Sequence, residues 1–504
     1  MPSKIFSAAL NGLEAELVTV EADAGGGDFG QITIVGLPDT AVSEAKERVK
    51  SILRNCGLVY PRRKITVNLA PADLKKHGPA FDLPIALSIL SLKNNFPFIP
   101  AECLFIGELA LSGELRPISG ILPIALCARQ NGFKYLFLPT ANAPEAGLIS
   151  GLTIFPLNNL RDLLNHLHNK IKIPPFSEPA VENSKPESAF DLISIKGQEK
   201  AKRALEITAA GGHNLLLFGP PGSGKTLLAK TAVSLLPSLT PEEKLEITKI
   251  YSVIGALKNN PSLVNIRPFR APHHSASGIS LIGGGSYPRP GEISLAHRGI
   301  LFLDELPEFS RSALENLRQP LEEGRITINR ANGVLTFPAN FMLIAAMNPC
   351  PCGFLGDSIQ ACRCSANQIN SYRRRLSGPI IDRIDLHVEV ARVNFRDLEQ
   401  RPAGETSAAV RERIEAARKI QRRRFRGTSF LTNAEMDNRA IDRFCRLEIA
   451  SRDFIRQAAE TLNLSVRSYF RVIKLARTIA DLDKSEAILI KHLAEALQYR
   501  PKLE

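Results

Sequence analysis

Apolar positions along the chain fall into short runs separated by polar stretches of helical period, the alternation of an α/β protein. Residues 31–35, 64–69 and 134–139 read as strands rich in β-branched and aliphatic side chains, and 41–55 carries the spacing of an amphipathic helix. The triple glycine at 25–27 reads as a turn. A proline-rich, polar stretch at 172–190 reads as a semi-rigid linker. Beyond it a helix is expected from Asp191, and the unbroken apolar runs at 215–218, 300–303 and 341–347 have the pattern of strands covered on both faces in a parallel sheet. Helices are expected over 227–236 and 311–323. The runs on either side of Asn332-Gly333 form a hairpin signal, with Arg330 near its tip. From 395 onward the pattern is helical, and 439–499 reads as a bundle. This divides the chain into an α/β unit (1–171), the linker (172–190), an α/β core (191–394) and a helical segment (395–504).

Candidate chemistry concentrates in the core. Between the run 215–218 and the helix that follows stands Gly219-Pro220-Pro221-Gly222-Ser223-Gly224-Lys225-Thr226, which fits the phosphate-binding loop G-x-x-x-x-G-K-[ST]. Glycines let the backbone close around phosphate oxygens, and the amides of the following helix start point at them. Lys225 can reach the β- and γ-phosphates, and Thr226 can ligate Mg²⁺. The run 300–303 delivers two carboxylates at its end. Asp304 suits Mg²⁺ held through water, and Glu305 suits a base for the water that attacks the γ-phosphate. ATP and Mg²⁺ are therefore the expected cofactors. The separation, 304 − 225 = 79 residues, is too long for one strand–helix repeat, so a segment is inserted; the candidate is 277–293, with Gly283-Gly284-Gly285 and Pro288-Arg289-Pro290-Gly291. Asn348, at the end of the run 341–347, either orients the attacking water or caps a turn. Arg383 is a candidate arginine finger reaching a neighbouring subunit's nucleotide.

Cysteine usage adds a second centre. Of the eight cysteines, Cys56, Cys103, Cys127 and Cys445 are scattered, which suits a reducing compartment rather than a disulfide scaffold. The other four form two C-x-C pairs, Cys350/Cys352 and Cys362/Cys364, at a local spacing that could hold one Zn²⁺; the alternative is four reduced thiols. The adjacent His273 and His274 are not expected to share a metal.

Charge narrows the partner. The 504 residues carry a net charge of +13, which favours a polyanion, nucleic acid before a membrane surface. The stretch 411–426 is densely basic around Arg422, Arg423 and Arg424, and reads either as a phosphate-contacting surface or as a solvated helix face. With no Trp and 6% aromatic residues, contacts to nucleic acid would rest on phosphates more than on base stacking. The N-terminus lacks a signal peptide's apolar region, and no apolar run approaches the roughly 18 residues of a membrane span, so a cytoplasmic location away from membranes is expected.

Two resemblances sharpen these readings. His77-Gly78-Pro79-Ala80-Phe81-Asp82 and Leu111-Ser112-Gly113-Glu114-Leu115-Arg116-Pro117-Ile118-Ser119-Gly120 resemble the proteolytic domain of Lon protease, which implies a Lon-like (ribosomal-S5-like) fold for 1–171. That family uses a Ser–Lys dyad. Here Ala80 and Leu122 stand at the matching positions, and neither can act as nucleophile or base, which argues against peptidase activity.

The middle of the chain resembles AAA+ ATPases of the magnesium-chelatase type. Arg267-Pro268-Phe269-Arg270-Ala271-Pro272-His273-His274, Pro290-Gly291-Glu292-Ile293-Ser294-Leu295-Ala296-His297, Asn348-Pro349-Cys350-Pro351-Cys352-Gly353 and Leu464-Ser465-Val466-Arg467-Ser468-Tyr469 are similar to the ComM/YifB family of competence-associated proteins. The resemblance implies a Lon-like domain, an AAA+ core with a parallel sheet, and a C-terminal helical lid of magnesium-chelatase type. It also implies a homo-hexameric, ATP-dependent DNA helicase acting on single-stranded and branched DNA, promoting branch migration during natural transformation. Segments 277–293 and 325–337 would line the pore, with Arg330 on the DNA, and Arg467 would be a second sensor arginine. Two other classes stay open: a protein-remodelling ATPase, and a chelatase motor subunit.

Overall fold

Continuous apolar runs become parallel strands and amphipathic stretches become the helices that cover them. The computed structural model describes residues 2–25, 31–58, 63–177, 190–257, 263–285, 287–330, 333–357, 359–376, 378–392 and 404–500. The chain forms two compact units, and they do not follow chain order. Residues 1–184 join with 241–264; residues 185–240 join with 265–504. The expected core of 191–394 thus runs through both units. Most of the expected linker, residues 178–189, lies outside the described residues, as do residues 26–30, which include two glycines of the triplet, and 393–403.

The first unit is built on a mixed seven-stranded sheet. Its strand order is Ile32–Val35, Lys64–Ala70, Glu14–Gly25, Ser3–Asn11, Cys103–Phe105, Tyr135–Pro139, Thr153–Leu157. The Glu14–Gly25 strand runs antiparallel to both its neighbours, while the other adjacent pairs are parallel. Helix Thr40–Asn55 starts where the Asp39 carboxylate accepts from the Val42 N–H at 2.8 Å, and it buries Val42, Ala45, Val49, Ile52 and Leu53 on one face. Helix Asp82–Leu90 is buried along its whole length.

Ala80 lies in a single 3₁₀ turn just before that helix, and Leu122 is fully buried at the start of helix Ile121–Gln130. The Leu122 N–H donates to Glu145 Oε1 at 3.1 Å and to Ser252 Oγ at 3.3 Å. Ser252 belongs to helix Pro241–Val253, which the chain contributes from far along its length. The Ser252 hydroxyl donates to the Glu145 carboxylate, and Gly120 N–H donates to the Ser252 carbonyl at 2.9 Å. Leu245 of the same helix packs with Ala80 against the core that holds Leu122. Burial raises the Glu145 carboxyl above the usual range, against the Ser252 and Leu122 donors.

The second unit holds a five-stranded, wholly parallel sheet in the order Phe269–Arg270, Ile300–Leu303, Met342–Met347, Leu215–Phe218, Leu386–Glu389. Phe218 pairs with Met347 and with Glu389, and Leu303 with Ala345, so the C-terminal ends of these strands meet along one edge. The long gap between phosphate loop and Asp304 contains two excursions. One is 241–264, which leaves for the first unit. The other is helix Gly278–Ile282, a short ladder of Gly283–Gly284 on Arg289–Pro290, and helix Glu292–Leu295. Helices Ser407–Arg424, Val466–Leu482 and Ile490–Leu497 share one continuous core with the sheet, in which Ile414, Ala417, Ile473 and Ile479 pack with Leu215, Ile344 and Leu386.

Three local expectations shift. No helix begins at Asp191. Its carboxylate accepts from Ile193 N at 2.9 Å and Ser407 N at 3.0 Å, which closes a single 3₁₀ turn, and the helix runs Glu199–Gly211. The expected helix 311–323 is split into Arg311–Glu315 and Arg318–Glu323, because Pro320 has no N–H for the Asn316 carbonyl and its ring crowds that carbonyl. In the hairpin of Arg325–Arg330 with Gly333–Pro338, Gly333 already pairs with Arg330, so residues 331–332 make the connection; they lie outside the described residues.

The basic run of helix Ser407–Arg424 also divides. Arg422 and Arg423 are exposed. Arg424 turns inward as a two-point partner of the fully buried Asp481, with Nη1–Oδ2 at 2.7 Å, and it also donates to Asn433 Oδ1 at 3.0 Å. Asp481 keeps Arg477 and Asn433 as partners, so removing Arg424 costs less than the about 3–5 kcal/mol of a buried charge left alone, but still takes one of its two guanidinium groups away. Arg424→Ala should therefore lower the midpoint of thermal unfolding clearly, whereas Arg422→Ala and Arg423→Ala should leave it unchanged within a degree or so, as surface substitutions do. Equal behaviour of all three in a calorimetric scan would remove this distinction.

Candidate functional site

The shared edge of the parallel sheet collects the side chains singled out in the sequence. Gly219 leaves strand Leu215–Phe218 so close to the next strand that a Cβ there would stand 2.1 Å from the Val390 carbonyl oxygen. Gly222 and Gly224 adopt left-handed φ of +76° and +93°, which closes the loop over the start of helix Lys225–Leu235. The buried Lys225 ammonium donates to the Gly219 carbonyl at 2.8 Å, the Pro220 carbonyl at 2.9 Å and Asn348 Oδ1 at 3.3 Å. Burial pulls its pKa below the ordinary lysine range, against the pull of Asp304 and Glu305. A desolvated cation surrounded by loop carbonyls and amides is the cradle a polyphosphate requires.

Thr226 Oγ1 donates to Asp304 Oδ2 at 2.8 Å, so the two groups expected to hold Mg²⁺ already touch. All-oxygen donors of this kind suit that ion. Asp304 Oδ1 accepts from the Glu305 N–H at 3.0 Å. Glu305 itself sits at φ +51°, a left-handed conformation that a residue other than glycine adopts at a cost and that clusters at functional sites. It turns the carboxylate out of the strand. His274 Nδ1 lies 3.5 Å from Glu305 Oε2, and its ring packs at 4.1 Å from that of His273. Reading the two histidines only as possible metal ligands missed this contact. The available signal was position: His274 follows strand Phe269–Arg270, which ends at the same sheet edge.

Arg383 and Arg467 share one partner, Glu322. Arg383, its side chain only 7% exposed, ion-pairs with Glu322 and donates to the Pro379 carbonyl. Arg467, in the first turn of helix Val466–Leu482, donates to the same Glu322 carboxylate at 2.8 Å. Burial opposes ionisation of Glu322, but the two guanidinium groups outweigh it and hold the carboxyl below the usual range. Arg330 takes its place in the hairpin ladder, and its side chain lies outside the described residues.

Three family models cover nearly the whole chain. "Magnesium chelatase, subunit ChlI" matches residues 191–398, "Subunit ChlI of Mg-chelatase" matches 20–142, and "Magnesium chelatase, subunit ChlI C-terminal" matches 404–500. The chain is 45% identical to the competence protein ComM of Haemophilus influenzae over 501 residues, 98% of this chain and 97% of that protein. It is 44% identical to the uncharacterised protein YifB of Escherichia coli over 506 residues, 99% and 97% of the two chains. The chain belongs to the ComM/YifB family. This family is a magnesium-chelatase-like branch of the AAA+ ATPases. A more distant similarity, 27% identity over 199 residues, links 37% of the chain to 23% of Lon protease 1 of Hydrogenovibrio crunogenus. Among the described residues no helix is long and apolar enough to cross a membrane.

Set on a ComM/YifB chain, the edge geometry gives separable kinetic expectations. Lys225→Ala should weaken nucleotide binding, measured by calorimetry, by removing the buried ammonium that would face the phosphates. Glu305→Gln should preserve binding and abolish phosphate release, because an amide cannot take a proton. His274→Ala should lower kcat on the order of tenfold to a hundredfold with KM nearly unchanged, since it frees the Glu305 side chain without touching the phosphate cradle. A Glu305→Gln protein with near-native turnover would remove the assigned base.

Proposed function

We propose that the protein is an ATP-driven DNA motor, assembled as a hexameric ring, that promotes branch migration of recombination intermediates during natural transformation. The observation that carries this reading is the convergence of Lys225, Thr226, Asp304, Glu305 and Asn348 on one sheet edge. It occurs in a chain similar along its whole length to a competence protein. The roles are then as follows. Residues 219–226 cradle the triphosphate, Thr226 and Asp304 hold Mg²⁺, Glu305 takes the proton of the attacking water, and Asn348 orients that water. The Lon-like domain spans 1–171, the AAA+ core 191–394 and the lid 395–504, with the 241–264 excursion belonging to the first.

Arg467 senses phosphate from the lid, and Arg383 acts across a ring interface. Within one chain Arg383 is committed to Glu322, so assembly has to draw it away; Arg373, Arg374 and Arg375 are the alternative fingers. Mixing Arg383→Ala subunits with Lys225→Ala subunits should restore part of the ATPase rate, because some mixed interfaces contain both intact groups. Normal hydrolysis by Arg383→Ala alone would place the finger elsewhere.

DNA is contacted through phosphates. The net charge of +13 and the exposed Arg422 and Arg423 support this, and the inward-turned Arg424 is not needed for it. Binding should tolerate any sequence and weaken steeply with salt, as each neutralised phosphate releases counterions. Fluorescence anisotropy over a salt series and migration of a synthetic four-way junction test the reading. Salt-independent binding, or no junction movement by hexamers that hydrolyse ATP, would promote a second reading as a protein-remodelling ATPase, which the partial likeness to Lon protease favours. Peptidase activity is not expected on either reading, since Ala80 and Leu122 offer no nucleophile and no base.

A further inference from the structure

The two C-x-C pairs close on a single point. Cys350 Sγ lies 3.4 Å from Cys352 Sγ and 3.6 Å from Cys362 Sγ, and Cys352 Sγ lies 3.6 Å from Cys362 Sγ. All four sulfurs, Cys364 included, fall within 4.8 Å of one another. Four sulfurs set tetrahedrally around Zn²⁺ at about 2.3 Å would be about 3.8 Å apart, so the cluster needs only small adjustment to hold the ion. Amide donors already face the sulfurs: Cys352 N–H points at Cys364 Sγ, and Cys364 N–H at Cys362 Sγ, each at 3.4 Å. Such donors favour thiolates. None of the four is in a disulfide, and Cys350 is buried while the others are half-buried.

The position of the cluster matters as much as its geometry. Cys350 follows Asn348 by two residues, at the end of strand Met342–Met347. Cys364 immediately precedes Ser365, which opens helix Ala366–Arg374 with a capping box. That helix returns the buried Tyr372 to the backbone of Asn348, and just beyond it Arg375 reaches Glu308 at 2.7 Å. Between the pairs, Gly353 has φ +87°, and a Cβ there would stand 2.7 Å from both Cδ and Cγ of Pro221. The cysteine loop therefore rests on the phosphate loop and is anchored at both ends beside Asn348.

We propose that the four cysteines bind one Zn²⁺ and that this ion braces Pro221 and Asn348, so that zinc occupancy sets the affinity of the phosphate loop for nucleotide. The first half stands on the sulfur geometry alone; the second rests on the ATPase reading. Without the ion, a loop with little regular structure of its own would have to hold Asn348 and Pro221 in place. With it, four covalently spaced residues are pinned to one centre, and the contact at Gly353 passes that rigidity to the phosphate loop.

Full-length protein purified without a metal-affinity tag should contain one zinc per chain by elemental analysis. Cys362→Ser and Cys364→Ser should reduce it well below that level. Removing zinc with a chelator should weaken binding of a fluorescent ATP analogue by about tenfold or more, and re-adding Zn²⁺ alone should restore it. Gly353→Ala provides a route that removes none of the four thiols; because Gly353 adjoins Cys352 and its φ of +87° strains an alanine, its zinc content is measured alongside its nucleotide affinity. It should keep its zinc yet bind the analogue more weakly, because the new methyl group has to displace Pro221; it therefore decides the matter if zinc removal unfolds the chain. Absence of stoichiometric zinc would overturn the metal site. Zinc-bound and zinc-free proteins, or Gly353→Ala and native proteins, with equal nucleotide affinity would overturn the brace. If Lys225→Ala also left analogue binding untouched, the fault would lie with the nucleotide site rather than with the zinc.

Discussion

The register between strands Leu215–Phe218 and Met342–Met347 is the constraint on which the candidate site depends. Because Phe218 pairs with Met347, the phosphate loop and Asn348 leave the sheet side by side, and Lys225 can reach the Asn348 amide oxygen. Because Leu303 pairs with Ala345, Asp304 emerges close enough to take the Thr226 hydroxyl. A slip of one residue would turn every side chain of a strand to the opposite face and break both contacts. The register is fixed by burial on both faces: Leu215, Leu217, Leu301, Leu303, Leu343 and Ile344 are all fully buried. Apolar packing thus sets the positions of groups that never enter the core.

In the first unit, Leu122 lies in a buried apolar cluster against which Ala80 packs. Helix Pro241–Val253 covers it with Leu245, and the buried Ser252–Glu145 pair satisfies the Leu122 N–H at the start of helix Ile121–Gln130. These hydrogen bonds tie helix Pro241–Val253 to the start of helix Ile121–Gln130.

Much of the nucleotide edge was legible in the sequence because it depends on local chemistry. A glycine loop between an apolar run and a helix, and carboxylates ending an apolar run, are readable wherever they occur. Three things were not. The departure of 241–264 to another unit leaves no local mark, since helix Pro241–Val253 is an ordinary helix in composition. The inward turn of Arg424 depends on Asp481, far along the chain, so a run of three arginines looked uniform. His274 acquires its neighbour only through strand order. The split at Pro320 could have been read directly, since proline in a helix interior carries its own signal.

Glu322 connects the parts that the sequence presented separately. One carboxylate faces two guanidinium groups, Arg383 from the segment after helix Ala366–Arg374 and Arg467 from the lid. Such an arrangement carries a surplus positive charge, which an anion can compete for. Glu322 lies one residue from the end of helix Arg318–Glu323, and only Gly324, at φ +64°, separates that helix from the first strand of the hairpin Arg325–Pro338. Glu322 therefore stands a few covalent bonds from the root of the hairpin. The lid helix that bears Arg467 is in turn tied to the Arg383 segment, since Arg471 donates to the carbonyls of Asp382 and Ile384.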